Sequence, residues 1–195
     1  MPEIRKITRV SIFIDYDNFA INYCKKFSVA EAAIDIWNSL CDRFTKYYQS
    51  RFIKNDFEVV DHVGTYLCVG LSEYPCSEEK EIKQRFRSLD RKNGFIVKYG
   101  TRTGSYKDKN GNLRLGVEKG VDTEIVCQML MGAFLNHYDA CILMSDDADY
   151  IPAVKRVQDY FGKKVIQAGF QNGVLRGRAY GNIPLEAASS TLAID

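Results

Sequence analysis

The sequence is poor in histidine, and it lacks the closely spaced cysteine pairs that are typical of zinc sites. It contains two histidines, His62 and His137, and neither stands at a metal-ligand spacing from another candidate ligand. The six cysteines are scattered without a C-x-x-C pair, and several lie in apolar runs, as Cys68 does in YLCVG. This pattern is typical of reduced, buried thiols, and it disfavours zinc sites, disulfide frameworks and histidine-based chemistry.

Long apolar segments are also absent. No run approaches the roughly 20 residues that a membrane-spanning helix needs, and the opening stretch MPEIRKITRVSIFID lacks the apolar region and cleavage site of a signal peptide. We therefore expect a soluble, cytoplasmic protein that does not bind membranes. Because 46% of its 195 residues are hydrophobic, the chain can bury a substantial core, and we expect a single domain over residues 1–195.

The formal net charge of +2 conceals an uneven distribution. Between Lys80 and Lys119 there are twelve Lys or Arg residues against four Asp or Glu, so this segment carries +8 and the rest of the chain −6. A basic strip beside an acidic remainder is typical of proteins that bind nucleic-acid backbone with cations and a metal with carboxylates. For Lys80–Lys92 alone, the solvated face of an ordinary helix explains the charges equally well.

Apolar runs alternate with helical patterns along the chain. Strands are predicted at Val10–Ile14, Glu58–Leu71 (one strand or a pair), Phe95–Gly100, Ala140–Met144 and 163–169, with helical patterns at about 18–49 (interrupted near Phe27–Ser28), 77–94, 121–138 and 150–162. This alternation predicts a three-layer α/β domain with a mostly parallel central sheet of about five strands. The core spans about 10–169, and a weakly patterned tail occupies about 170–195.

The stretch TRTGSYKDKNGNLRLGVEKG interrupts this alternation. Asn110-Gly111, flanked by polar and apolar residues that can pair as strands, is a strong hairpin signal. The sequence therefore predicts a basic β-hairpin, inserted at about 101–118, that projects from the domain.

Acidic residues follow the predicted strands at points that should meet in space. Asp15 directly follows the first strand, Asp146, Asp147 and Asp149 follow the fourth, and Asp122 begins the helix between the third and fourth strands. Because the carboxyl ends of parallel strands form one edge, and that helix runs antiparallel to them, three distant segments bring carboxylates to the same place. Crowded carboxylates raise one another's pKa or bind a cation, and oxygen donors without His or Cys favour Mg²⁺ or Mn²⁺. Such an ion can activate water beside a phosphate without a protein nucleophile.

Several of these carboxylates also have a purely structural interpretation. Asp149 precedes a helix and could serve only as its N-cap, and Asp122 at a helix start favours the helix dipole. Asp17 and Asp146 fit supporting or solvated positions better than ligand positions.

Three motifs together resemble the NYN domain family, the LabA-like branch of the PIN-like nucleases. IFIDYDN resembles the opening motif of the family, KGVDTEI its central motif, and MSDDADYIPAVKRVQDYFGKKV its Ser-Gly-Asp-x-Asp-Phe block with the helix and strand that follow. The resemblance covers about Val10 to Gly169. It implies a PIN-like Rossmannoid fold and a metal-dependent ribonuclease that uses Mg²⁺ or Mn²⁺. Matched by position, the catalytic and metal-binding residues would be Asp15, Asp122, Asp147 and Asp149, with Asn18 and Ser145 beside them.

Three departures from the family pattern bear on the function. Asp146 stands where the family usually has Gly, and Gln128 replaces a residue that is often acidic. The basic excursion at Thr101–Glu118 is longer than expected. The first two departures bear on catalytic efficiency and metal stoichiometry, and the third bears on substrate choice. Asn18 could cap the following helix or hold a phosphate or a metal-bound water.

The leading hypothesis is an endoribonuclease that tolerates single-stranded RNA. Cations would bind the RNA backbone, and Tyr99 and Tyr106 could offer stacking faces to bases. The cations expected to do so are Lys83, Arg85, Arg87, Lys98, Arg102, Lys107, Lys109, Arg114 and Lys119.

Two other functions stay open. A strand followed by D-x-D in FIDYDN, with SDDAD later, also resembles phosphatases of the haloacid-dehalogenase type, in which Lys119 could serve as the lysine, although Asn18-Phe19 stands where Gly-Thr is usual. A non-catalytic RNA-binding or regulatory module on the same fold is the second alternative. The sequence leaves open which RNA is cut, whether cleavage is endonucleolytic or exonucleolytic, whether one metal or two are used, and whether the chain forms a homodimer.

Overall fold

The computed structural model of the chain describes residues 6–28, 37–55, 57–73, 75, 77–92, 94–103, 106–107, 109, 113–114, 116–170 and 174–185. Within these ranges, no helix combines the length and the apolar character needed to cross a bilayer.

A seven-stranded sheet forms the centre of the described part of the chain. Its strands are β1 (Lys6–Asp15), β2 (Glu58–Ser72), β3 (Phe95–Thr103), β6 (Val117–Lys119), β7 (Ala140–Met144), β8 (Lys164–Gly169) and β9 (Gly181–Pro184). They lie in the order β6-β3-β2-β1-β7-β8-β9. The short edge strand β6 runs antiparallel to β3, and all other neighbours are parallel.

The chain builds this sheet outward from β1 in two directions. It first adds β2 and β3 on one side, and then returns to the other side of β1 with β7, β8 and β9. The strand order therefore reverses between β1 and β7. In open α/β sheets, ligands bind in the crevice at the carboxyl ends of the two strands that flank such a reversal.

Five helices cover both faces of the sheet within the described residues. On one face, α1 (Tyr16–Phe27), α2 (Trp37–Phe52) and α3 (Ser77–Leu89) pack against the sheet, and on the other face α4 (Val121–Phe134) and α5 (Ile151–Asp159) do so. Strand β1 contributes to both cores, because Ile12 and Ile14 face the first group of helices and Phe13 faces the second. A strand buried on both faces needs apolar residues at successive positions, as VSIFI provides.

The prediction of a three-layer, mostly parallel α/β domain is confirmed, but the expected count of about five strands is too low. The two additional strands, β6 and β9, are short edge strands, and β9 lies in the tail that was expected to be weakly patterned. The Glu58–Leu71 pattern forms one strand rather than a pair, with a register shift against β1 opposite Val10 and Ser11.

The predicted hairpin excursion contains a second, two-stranded sheet. Its strands are β4 (Tyr106–Lys107) and β5 (Leu113–Arg114), which pair antiparallel with Tyr106 opposite Arg114. The base of the excursion is part of the main sheet, since β3 and β6 pair from Thr101 to Thr103. The Asn110-Gly111 turn lies outside the described residues.

Candidate active site

The carboxyl ends of β1 and β7 lie side by side at the reversal of strand order. Ile14 and Met144 are opposite each other in the parallel register, so the residues that follow them, Asp15 and Ser145, lie level with each other at the edge of the sheet. Helix α4 begins at this edge too, because it runs back toward the start of β7. The structure therefore brings Asp15, Ser145 and Asp122 together at this edge, from three separate segments of the chain.

Asp15 is a buried carboxylate that caps α1. Its Oδ1 accepts the backbone N–H of Asn18 at 3.1 Å, and its Oδ2 accepts the hydroxyls of Ser145 and Tyr150, each at 3.1 Å. The residue is 4% exposed. The pKa of Asp15 is raised to about 6, chiefly by burial. The negative charge of Asp122 also raises this pKa, and the hydrogen bond from the Asn18 N–H opposes the rise.

Asp122 and Asp15 share one hydrogen-bond donor, the hydroxyl of Tyr150. This hydroxyl donates to Oδ1 of Asp122 at 2.8 Å, and its ring is fully buried in the core against α4 and α5. Burial and the charges of Asp15 and Asp122 raise the pKa of Tyr150, so the hydroxyl keeps its proton. Asp122 itself lies in the first turn of α4, whose N-cap is Gly120 in a left-handed conformation (φ 88°) with no side-chain cap.

Asp147 and Asp149 lie at the rim of the site rather than at its centre. The N–H of Asp147 donates to Ser145 Oγ at 3.1 Å, and its Oδ1 accepts the N–H of Asp149 at 2.9 Å. Asp147, not Asp149, is thus the N-cap of a short 3-10 helix, Ala148–Tyr150, which carries Tyr150 to the carboxylate pair. Asp149 is exposed.

Asn18 and Asp146 join the ends of the neighbouring elements. Oδ1 of Asn18 accepts the N–H of Asp146 at 3.0 Å, which ties the first turn of α1 to the end of β7. The Asp146 carboxylate is held on the β8 side, where it accepts Nε2 of Gln167 at 2.7 Å and the N–H of Phe170 at 3.0 Å. The Asp at the usual Gly position therefore fixes the loop after β8 and adds no ligand to the carboxylate pair.

The sequence profile of the NYN domain matches residues 9–189. This chain belongs to the NYN domain family. NYN domains belong to the PIN-like nuclease superfamily, and nucleases of this superfamily usually use divalent metals. A search of curated proteins found no match.

Among solved structures, this NYN domain is similar to a protein of unknown function from Vibrio parahaemolyticus, VPA0982. The two share 18% sequence identity with a TM-score of 0.61, and the alignment covers 96% of this chain and 98% of that chain. At this level of identity the likeness shows the fold alone.

Tyr150 is the site residue that the sequence analysis missed. It stands at the position where the Ser-Gly-Asp-x-Asp-Phe block that this motif resembles ends in Phe, and this difference is the signal that could have found it. Gln128, a departure from the family pattern that lies on α4, donates from Nε2 to Glu124 Oε1 at 2.9 Å. It therefore contacts the first turn of its own helix.

Arg102 is buried among carboxylates and does not face solvent as a backbone-binding cation would. It is 8% exposed, and its guanidinium lies 2.7 Å from Asp17, 3.5 Å from Glu118 and 3.9 Å from Glu79. Asp17 also accepts the N–H of Gly70 at 3.0 Å. A guanidinium with this many internal acceptors is a structural cation, because leaving those carboxylates unpaired would cost several kcal/mol.

Burial raises the pKa of Glu118 to about 9, and its hydrogen bond to Asp17 and the charge of Asp17 raise it as well. The ion pair of Glu118 with Arg102 is the longer contact at 3.5 Å, against 2.7 Å for Asp17. We infer that Glu118 carries a proton and donates it to Asp17, while Arg102 pairs chiefly with Asp17.

Other cations of the basic strip lie close to the site or on the exposed excursion. Lys98 lies 3.9 Å from Glu124 in the first turn of α4, and Lys119 is exposed immediately before that helix. Lys109 is exposed, whereas Lys107 and Arg114 are described only as backbone of the short ribbon. Lys83 lies over the ring of Tyr99, 5.8 Å from its centroid.

The carboxylate pair fits a hard divalent cation. Its donors are oxygens, and the charge of Asp122 opposes the ionisation of Asp15, a repulsion that a cation relieves. Mg²⁺ is commonly held by one or two carboxylates together with waters and substrate phosphates. Across the described part of the chain, no three His, Cys, Asp or Glu side chains already converge as a metal site. The fit therefore depends on Asp15 and Asp122, with Asp147 and Asp149 beside them.

Proposed function

We propose that this NYN domain is a metal-dependent endoribonuclease that hydrolyses RNA phosphodiester bonds. The proposal depends on one observation: Asp15 and Asp122 accept hydrogen bonds from the same hydroxyl, that of Tyr150, at the reversal of strand order. Three segments that are distant in sequence bring these groups together, and the chain otherwise gains little from placing two carboxylates there. Family membership makes nuclease chemistry the first interpretation of such a pair.

The residues of the pair would hold Mg²⁺ or Mn²⁺ beside the scissile phosphate. The bound ion would supply an activated water and stabilise negative charge on the phosphate. Ser145 and Asn18 fix the orientation of Asp15 and of the loop after β7 through the hydrogen bonds described above. Asp147 and Asp149, at the rim, would complete the set of oxygen donors as the substrate enters.

The basic strip would bind the RNA backbone on the α3 and β3 side of the site. Lys98 and Lys119 flank the start of α4, and Lys107, Lys109 and Arg114 belong to the excursion beyond them. Tyr106 is 63% exposed and Tyr99 is 42% exposed, so both rings can stack on unpaired bases. The buried Arg102 is left out of this set.

Cleavage of single-stranded RNA by Asp122→Asn, measured with Mn²⁺ and with EDTA, tests the proposal. We expect the variant to lose at least about a hundredfold in rate, because a neutral amide holds a divalent cation more weakly than a carboxylate does, and without the cation nothing offsets the charge that builds on the phosphate. Asp159→Asn, an exposed carboxylate at the end of α5, is the matched control and should cleave normally. Undiminished cleavage in EDTA would refute the proposal.

A circular single-stranded RNA distinguishes endonucleolytic from exonucleolytic action. An endonuclease converts the circle to a linear strand, whereas an exonuclease leaves it intact. Resistance of the circle together with degradation of the linear form would overturn the endonuclease assignment and leave metal-dependent hydrolysis in place.

The alternative function is a non-catalytic RNA-binding module on the same fold. One observation favours it: within the described residues the carboxylates form a pair rather than a convergent set of three, and a tyrosine hydroxyl stands between them. RNA binding with no cleavage of several RNAs in Mn²⁺ would support this module.

The contacts of Asp17 argue against a phosphatase of the haloacid-dehalogenase type. Asp17, the second Asp of the D-x-D pattern, is engaged by Arg102 and by the N–H of Gly70. The carboxylate therefore faces the interior salt-bridge cluster rather than an entering phosphate.

A further inference from the structure

The hydroxyl of Tyr150 lies between the two carboxylates that the proposed function needs. Its oxygen is 2.8 Å from Oδ1 of Asp122 and 3.1 Å from Oδ2 of Asp15. A tyrosine hydroxyl has one proton to donate, and both neighbours are acceptors, so a single proton serves two negative groups. The shorter distance directs it mainly to Asp122.

The oxygens of Asp15 have little spare capacity for another partner. Oδ2 accepts the hydroxyls of both Ser145 and Tyr150, and Oδ1 accepts the N–H of Asn18. A carboxylate oxygen offers two lone pairs, so Oδ2 is fully used. A cation that binds Asp15 Oδ2 and Asp122 Oδ1, the two oxygens that share the Tyr150 hydroxyl, must therefore take the place of that hydroxyl.

Packing does not explain why a hydroxyl stands here. A phenylalanine ring would fill the same space in the core that also contains Val121 and Val154. The hydroxyl adds one property, a hydrogen-bond donor aimed at two carboxylates. Without it, these carboxylates would repel each other in a site with little solvent to screen them.

We propose that the Tyr150 hydroxyl is a placeholder for the cation, which holds Asp15 and Asp122 together in the metal-free protein and competes with a divalent ion for the same two oxygens. This inference rests on the proposed metal-dependent function and concerns the regulation of that site. Tyr150 is then a positioning residue that stabilises the metal-free fold and weakens metal binding.

Tyr150→Phe tests the inference by Mn²⁺ titration calorimetry and by melting temperature. We expect Mn²⁺ to bind the variant about tenfold more tightly than the wild type, since the ion no longer displaces a hydrogen bond to a charged group. The melting temperature of the variant in EDTA should be lower than that of the wild type. Saturating Mn²⁺ should reduce this difference, because the ion then offsets the repulsion in both proteins.

Tyr138→Phe is the matched control. Tyr138 is a buried tyrosine of the same core, and its hydroxyl donates to the carbonyl of Met129 at 2.6 Å, away from the acidic pair. Its loss should lower the melting temperature equally in EDTA and in Mn²⁺, and should leave the Mn²⁺ affinity unchanged. A purely structural tyrosine at position 150 would behave in the same way.

Wild-type or weaker Mn²⁺ affinity in Tyr150→Phe would overturn the inference and leave metal-dependent catalysis intact. Failure of both proteins to bind Mn²⁺ would overturn this inference and the proposed metal-dependent function together. If Tyr150→Phe folds poorly, the hydroxyl is instead removed in the Asp122→Asn background, and the loss of melting temperature in EDTA is compared between the two backgrounds. With one charge removed, loss of the hydroxyl should lower the melting temperature less than in the native background. An equal loss, or a double variant that also fails to fold, would overturn the inference.

Discussion

The folded state is more stable when Asp15 is protonated than when it is charged. Its folded pKa of about 6 lies above the ordinary value of 3.8, so the native state binds more protons than the unfolded state between these pH values. Stability from this group is therefore lost as the pH rises through that window. At pH 7 we expect Asp15→Asn, measured in EDTA, to raise the free energy of unfolding by about 1 to 3 kcal/mol.

The same variant carries its own control at low pH. An asparagine can still cap α1 by accepting the N–H of Asn18, so the capping interaction is retained. At pH 4 the wild-type carboxyl is largely protonated, and the two proteins should unfold with nearly equal free energies. A variant less stable than the wild type at pH 7 would show that the charge of Asp15 stabilises the fold.

How much of the site can be predicted from sequence differs from residue to residue. Asp15 and Asp122 are predictable, because strand exits and helix starts of a parallel sheet share an edge whatever the details of packing. Arg102 is not, because a basic strip in sequence does not say which side chain turns inward, and Asp17, Glu79 and Glu118 become its neighbours only after folding. The sequence shows that residue 150 is a tyrosine, but the two carboxylates that its hydroxyl contacts become its neighbours only after folding.

At the scale of elements, the long buried strands are predictable and the short edge strands are not. Strands β1 and β7 carry continuous apolar runs because helices cover both faces of the sheet. Strand β9 has four residues, Gly181–Pro184, and strand β6 has three, too few to show alternation. Their conformation comes from pairing with β8 and β3, which are partners that a local pattern cannot reveal.

The strand β6 is joined to α1 by a contact that should depend on pH. Glu118 on β6 has a pKa raised from 4.5 to about 9 by burial and by its hydrogen bond to Asp17. The folded protein therefore keeps a proton that the unfolded chain releases, and this stabilisation is complete below about pH 4.5 and lost as the pH rises through about 9. Glu118→Gln keeps the protonated geometry at every pH. Urea unfolding at pH 9 should find it more stable than the wild type by at least about 1 kcal/mol.

The control for this contact is a glutamate without it. Glu81→Gln changes an exposed residue of α3, and should leave the dependence of stability on pH unchanged. At pH 5, where the wild-type Glu118 is protonated, Glu118→Gln and the wild type should be nearly equally stable. Parallel stability curves for the two proteins from pH 5 to 9 would contradict a protonated Glu118.

For the whole molecule, the uneven charge along the sequence becomes an uneven charge in space. The segment of charge +8 contains α3, β3, the β4–β5 ribbon and β6. Of these, β3 and β6 lie on the β2 side of the reversal of strand order, and α3 packs against β2 and β3. RNA that reaches Asp15 and Asp122 would therefore extend over this side of the sheet, and its affinity should depend on salt through the cations there.

The double variant Lys98→Ala/Lys119→Ala tests this direction of approach. RNA affinity measured in EDTA, so that no strand is cut, should fall, and the slope of log affinity against log salt should decrease by about 1.4 for two lost contacts to a single strand. Arg51→Ala/Lys54→Ala removes the same charge from exposed residues between the end of α2 and the start of β2. This connection lies at the amino ends of the parallel strands, away from the carboxyl ends that form the site. This control should leave the slope unchanged. Equal losses in both double variants would mean that RNA binds through the net charge of the protein rather than along the basic side of the sheet, because only a localised path distinguishes cations by position.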